Sequence, residues 1–189
     1  MLVEQMLVGP MAVFSYIVGC EKEKEGLIID PAGNENKIIS KAADMGLRIK
    51  YVVNTHGHAD HTCGNRAVLS KTGAELVVHQ EDANEIIRGL NRAFSMVMGK
   101  RPSPKPHMLV NDGDFIGIGA TGLKVIHTPG HTPGSICLYG EGNLFTGDTL
   151  FVGAVGRTDL KGGSVDILLG SLRKLLTLPP ETRVWAGHN

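Results

Sequence analysis

Seven consecutive residues, Thr55-His56-Gly57-His58-Ala59-Asp60-His61, carry three imidazoles and a carboxylate. They follow closely on Ile49–Val53, a short run rich in β-branched residues that reads as a strand. In an extended segment residues two apart project to the same side. His56 and His58 are therefore expected to converge on one point, with Asp60 and His61 turned toward a neighbouring one. Imidazole nitrogen and carboxylate oxygen suit zinc, iron or manganese. The arrangement recurs along the chain. His131 stands in the Pro- and Gly-fixed turn Thr128-Pro129-Gly130-His131-Thr132-Pro133-Gly134-Ser135. Asp148 follows a strand-like run in Thr146-Gly147-Asp148-Thr149-Leu150, and His188 follows the last one in Trp185-Ala186-Gly187-His188. A fold that uses these side chains together must gather several strand ends along one edge.

The rest of the pattern supplies those strands. They are predicted over Leu2–Val8, Met11–Val18, Gly26–Asp30, Ile49–Val53, Glu75–Val78, Asp114–Ile118, Leu123–His127, Ser135–Tyr139, Asn143–Thr146 and Arg183–Ala186, separated by Gly and Pro turns. Helices are predicted from an Asn34 cap to about Met45 with Gly46 as the stop, over Cys63–Lys71 stopped by Gly73, and briefly over Glu81–Gly89. A last helix, capped by Ser164, runs to Leu176 with Val165, Leu168, Leu169, Leu172, Leu175 and Leu176 as one apolar stripe. From Asn91 to Pro106 the periodicity fails. Pro102, Pro104 and Pro106 stiffen this stretch, which with Arg88, Arg92, Lys100, Arg101 and Lys105 reads as a basic flap. The order β-rich, βα, βα, β-rich, α, β predicts an α/β sandwich rather than a simple alternating parallel sheet. Residues 1–189 read as one domain, a length that buries a sizeable core.

Composition narrows the function. Lys plus Arg and Asp plus Glu both number 19, so the formal net charge is zero, which argues against nucleic acid as the main partner. No uninterrupted apolar run of about 18 residues indicates a membrane span, and Met1–Pro10 lacks the basic start of a secretion signal. Three cysteines without a CxxC pair suit a reducing compartment, so a cytoplasmic location is expected.

In number, order and spacing, the HxHxDH block, the PGH turn, the GDT turn and the terminal GH resemble the metallo-β-lactamase superfamily over residues 55–188. Within it, the phrases HTPGHTPGSICL and GDTLFVGAVGRTDL are similar to the glyoxalase II (hydroxyacylglutathione hydrolase) group, in a short form without a separate helical C-terminal domain. The resemblance implies a four-layer αββα sandwich of two mixed sheets flanked by helices. It implies two divalent ions, zinc first, with iron or manganese as alternatives. His56, His58 and His131 would hold the first, Asp60, His61 and His188 the second, and Asp148 would bridge both. Asp60 would also orient the nucleophile. Arg157, in Gly153-Ala154-Val155-Gly156-Arg157, would face the glutathione moiety and pair with a carboxylate.

The implied reaction is hydrolysis of a small-molecule glutathione thioester such as S-lactoylglutathione by a hydroxide bridging the ions, formed because metals lower the pKa of water toward about 7. A thiol leaving group has a pKa near 8.5, so it departs without a strong general acid. Other readings stay open: a mononuclear iron persulfide dioxygenase on His56, His131 and Asp148, a lactonase, and, ranked last, a non-catalytic metal-binding module. His79, His107 and His127 are expected to serve structure, and Cys63 to pack as a small side chain. Relatives usually continue beyond the residue matching His188, so a chain truncated at Asn189 is expected; the oligomeric state is open.

Overall fold

Alternation of apolar residues leaves each strand with one or two faces to cover, and the chain covers them by pairing into two sheets. The computed structural model describes residues 1–188 apart from Arg88 and Met98, with Gly89 and Leu90 described in backbone only. The first sheet is ordered β1 (Leu2–Val8), β2 (Val13–Gly19), β3 (Glu25–Ile29), β4 (Arg48–Val53), β5 (Glu75–His79) and β6 (Met108–Val110). Its first three strands are antiparallel, and β3 to β6 are parallel. The second sheet holds β7 (Phe115–Ile118), β8 (Thr121–His127), β9 (Ile136–Gly140) and β10 (Asn143–Gly147) antiparallel, with β11 (Arg183–Ala186) parallel to β10 at its edge.

Between the sheets lies the main core. Tyr16, Leu27, Ile29, Val53 and Val77 of the first sheet meet Ile116, Leu123, Val125, Ile136 and Phe145 of the second. The outer face of the first sheet (Ile17, Ile28, Val52, Leu76) is covered by Ile38 and Ala42 of α1 (Glu35–Asp44) and Val68 and Leu69 of α3 (Asn65–Thr72). On the second sheet Cys137 and Leu144 pack under Leu175 of α5 (Val165–Leu175). Helix, sheet, sheet, helix is the predicted sandwich.

Several local readings are corrected. Asn34 does not cap α1 through its side chain. It is left-handed (φ 51°), and its Oδ1 accepts the Gly9 amide at 2.9 Å, tying the first turn to the helix start. The helix expected over Cys63–Lys71 is α3, starting two residues later, and a separate short helix, α2 (Ala59–Thr62), precedes it within the histidine-rich block. Gly89–Val97 forms a helix, α4, where periodicity had failed. Its buried positions carry Asn91 and Ser95 while Met96 and Val97 face solvent, so apolar spacing cannot mark it. The three-residue β6 had no separate signal. On α5 the buried stripe is Leu168, Ser171 and Leu175, while Val165, Leu169 and Leu176 are exposed; Ser164 caps it as expected, its Oγ accepting the Ile167 amide.

Candidate metal centre

The parallel run β3–β4–β5 and the strands β8, β10 and β11 all end at the same edge of the sandwich. The turns that leave them carry Asp30, His56 to His61, His131, Asp148 and His188. Backbone geometry makes the approach possible. Gly147 is left-handed (φ 48°), and a β-carbon there would collide with the Thr55 side chain at the end of β4.

Two groups of nitrogen and oxygen atoms converge there. His56, His58 and His131 each offer one ligand atom within 4.8 Å of the others, as do Asp60, His61 and His188. His131 Nε2 lies 3.0 Å from His58 Nδ1, and His61 Nε2 lies 3.1 Å from His188 Nε2. Asp148 stands between them, with Oδ2 3.6 Å from His131 Nε2 and Oδ1 3.3 Å from His61 Nε2. Asp60 Oδ2 is 3.7 Å from both His61 and His188. All seven side chains singled out in the sequence are thus brought together.

A third layer holds the imidazoles in orientation. The carbonyl of Arg157 lies 2.8 Å from His131 Nδ1, and Asp30 Oδ2 lies 2.9 Å from His61 Nδ1. Thr55 Oγ1 donates to Asp30 Oδ2 (2.6 Å), which leaves its lone pair for His56 Nδ1 at 3.1 Å. In each case the outer nitrogen faces an oxygen acceptor, so Nε2 is the atom left to serve an ion once any proton on it is displaced. Asp30 was read only as a strand end, because nothing in the sequence marks the imidazole that a lone aspartate there faces. Buried His56 Nε2 and Asp148 Oδ1 have no hydrogen-bond partner among the described residues. Orphaned buried acceptors are rare in folded proteins. Donors converging at 3.0–3.1 Å, near the roughly 3.3 Å between two ligands of one tetrahedral ion, fit a divalent cation.

Electrostatics separates the two groups. Burial, with the neighbouring imidazoles His61 and His131, drives His56 well below the ordinary histidine pKa, and burial with His131 lowers His58. Burial also acts to lower His61, but the carboxylates of Asp148, Asp30 and Asp60 outweigh it and push it up to about 10. The hydrogen bond to Asp60 raises His188 against its burial. Burial works to raise Asp60, and the hydrogen bond from His188 with the charges of His61 and His58 reverses this and holds it well below the usual carboxylate range.

Arg157 lines a cavity of about 280 Å³ beside the centre, with Met11, Phe94 and Leu160 as its apolar walls. Its guanidinium is not free: Nε and Nη2 donate to the two oxygens of Asp159 at 2.8 and 2.6 Å. A second cavity of about 340 Å³, lined by Glu81, Glu85, Thr132 and Lys161, shares His58, Asn91 and Leu160 with the first. Lys100 of the basic stretch pairs with Glu35 at 2.6 Å, and Arg88 lies outside the described residues. Outside the centre, His79 and His127 stack at 4.0 Å, and His107 Nδ1 accepts the Leu76 amide. Buried Cys63 donates to the Ala32 carbonyl, and burial pushes its pKa up to about 11.

The model of the metallo-beta-lactamase superfamily matches residues 8–188. The chain is 35% identical to the "Probable metallo-hydrolase YqgX" of Bacillus subtilis, over 97% of this chain and 88% of that protein. It is 37% identical to a hydroxyacylglutathione hydrolase of Polaromonas, covering all of this chain and 67% of the relative. Among solved structures it superposes on BLEG-1 B3 metallo-beta-lactamase with a TM-score of 0.90 and 31% identity, covering 100% of this chain and 92% of that one. ETHE1 from Myxococcus xanthus gives 0.84 at 29% identity (100% and 76% covered). TTHA1623 in a di-iron-bound form gives 0.84 at 30% identity (99% and 92% covered).

Proposed function

Because the chain belongs to the metallo-beta-lactamase superfamily of metal-dependent hydrolases, we propose that it hydrolyses small thioesters of the glutathione type at a centre of two divalent ions, zinc in the first place. His56, His58 and His131 hold one ion, Asp60, His61 and His188 the other, and Asp148 lies between them. The observation that carries this reading is the convergence of both trios on Asp148, whose Oδ1 is buried without a partner among the described residues. A bound pair supplies Lewis acidity and a water acidic enough to ionise near neutral pH. Everything else is asked of the chain itself. Asp30, Thr55 and the Arg157 carbonyl hold the imidazoles in orientation. Asp60, kept ionised by His188 and His61, is a hydrogen-bond acceptor that orients the attacking water. The two cavities that meet at His58 give room for the two arms of a thioester, the carboxylate-bearing thiol arm along Met11, Phe94 and Leu160 toward Arg157 and the acyl group toward Lys161. Arg157 meets a substrate carboxylate by exchanging it for Asp159.

The relatives named hydroxyacylglutathione hydrolase support the substrate class, and the chain spans about two thirds of their length. The one-iron persulfide dioxygenase reading needs only His56, His131 and Asp148, whereas the geometry also assembles Asp60, His61 and His188, which favours two ions. Metal analysis of the purified protein, followed by rates on S-lactoylglutathione and glutathione persulfide side by side, tests the choice. About two metals per chain with thioester cleavage is expected. One iron with oxygen uptake on the persulfide overturns it.

A further inference from the structure

One buried carboxylate ties the two metal-bearing turns together without touching either set of ligands. Asp82 follows β5 and is 1% exposed. Its Oδ2 accepts from the Gly57 amide at 2.6 Å and from Thr132 Oγ1 at 2.7 Å, and its Oδ1 accepts from the Gly134 amide at 2.8 Å. Gly57 lies between His56 and His58. Thr132 and Gly134 belong to the turn that carries His131. A β-carbon on Gly134 would sit 2.6 Å from Asp82 Cγ, and one on Gly57 3.2 Å from its Oδ2. The Gly134 turn therefore closes on the carboxylate only because that position lacks a side chain, and at Gly57 a side chain would crowd it. The far side of the same turn is pinned as well. His127 Nε2 lies 2.8 Å from the Pro133 carbonyl, and its ring is stacked on His79 of β5.

We propose that Asp82 is a positioning residue that sets the spacing between the His56–His58 pair and His131, and thereby the affinity of that trio for its ion. It rests on the reading that the trio binds a metal. A carboxylate suits the task because all three partners are donors and it is an acceptor only. Charge-assisted bonds to backbone amides are also shorter and stronger than neutral ones. Groups that hydrogen-bond ligand imidazoles directly change metal affinity by about 10–100-fold when lost, and the same scale is expected for one that holds the backbone bearing them.

The test is cobalt(II) titration with a competing chelator on metal-free protein, for the parent, Asp82→Asn and Asp82→Ala. Each is measured also in a His188→Ala background, which leaves the trio as the intact set. The trio is expected to lose about 10–100-fold in affinity with an altered cobalt absorption spectrum. The Asp60–His61–His188 set, read in the His188-containing proteins, is expected to stay within about threefold. An unchanged trio overturns the proposal. So does equal weakening of both sets in step with the melting temperature of the metal-free protein, which would make Asp82 a fold determinant only. If the Asp82 variants do not fold, Thr132→Val is expected to weaken the trio and Thr132→Ser to restore it, and a Thr132→Val protein with parental affinity counts against Asp82. A parent that binds no cobalt overturns the metal reading itself, and the proposal with it.

Discussion

At the residue scale the two trios differ in the protons they carry, and this has a measurable consequence. His61 is caged by Asp30, Asp60 and Asp148 and holds its proton up to about pH 10 in the metal-free protein. An incoming ion must displace that proton. Below about pH 10, affinity at the Asp60–His61–His188 set should therefore rise at least tenfold per pH unit, and more steeply where the raised His188 also carries a proton. His56 and His58 are shifted the other way and are neutral at pH 7, so their set should show a nearly flat affinity between pH 7 and 9. Chelator-competition titrations across that range check this, and parallel slopes for the two sets would refute it. The metal-free fold has the opposite dependence. The raised His61 pKa contributes stability that is complete below about 6.5 and fades as pH climbs through about 10. Arg157 offers a second residue-level test. Its pair with Asp159 is exposed on both sides, and such pairs contribute little because solvent screens them. Asp159→Ala should thus lower KM for a carboxylate-bearing thioester by no more than about fivefold, and Arg157→Ala should raise KM with kcat nearly unchanged. A fall in kcat of the same size as the rise in KM would place Arg157 in the chemistry instead.

At the element scale, what could be read depended on whether apolar spacing or hydrogen bonding decides the conformation. Strands β2, β3 and β4 announce themselves because their buried faces are runs of Val, Ile and Leu. Helix α4 does not, because its inward face is held by polar bonds: Asn91 Nδ2 donates to the Gly57 and Glu85 carbonyls, and Ser95 Oγ to the Asn91 carbonyl. Five of the seven candidate ligands were legible because imidazoles are scarce and fall in turns that follow strands; Asp60 stands inside the histidine block, and Asp148 was marked by the resemblance of its GDT turn. Asp30, Asp82 and Asp159 were not, since a single aspartate in a turn is common and only the third dimension shows whom it faces. The corrected face of α5 yields a prediction. Leu168→Ala, in a side chain 3% exposed, should cost about 2–5 kcal/mol. Leu169→Ala, 47% exposed, should stay within about 0.5 kcal/mol. Denaturant unfolding of the two variants separates this register from the stripe read off the sequence, which predicts equal losses.

At the scale of the whole molecule the centre lies across the seam of the sandwich. His56, His58, Asp60 and His61 hang from the end of β4 in the first sheet, while His131, Asp148 and His188 leave strands of the second. Ions shared between these groups would act as a further clamp on two sheets already joined by apolar packing and by hydrogen bonds, among them Ile136 N to the Thr55 carbonyl and Tyr16 Oη to the Ala186 carbonyl. A ligand that binds only the folded state stabilises it by about 2.7 kcal/mol at a hundred times its Kd. For a chain of this length that corresponds to a rise in Tm of roughly 5–10 °C. Removing metal should therefore lower Tm by about that amount, and zinc should restore it. The loss should also be local. If ions join the imidazoles that lie at 3.0–3.1 Å, removing them takes away a shared partner, so amide exchange should accelerate at 55–62 and 130–134. Val53, Val77 and Val125, buried between the sheets, should keep their protection. Exchange that quickened evenly through both sheets would mean the metal supports the fold globally. An unchanged Tm with unchanged exchange would mean that the seam closes without it, and that the clamp is no part of this molecule's stability.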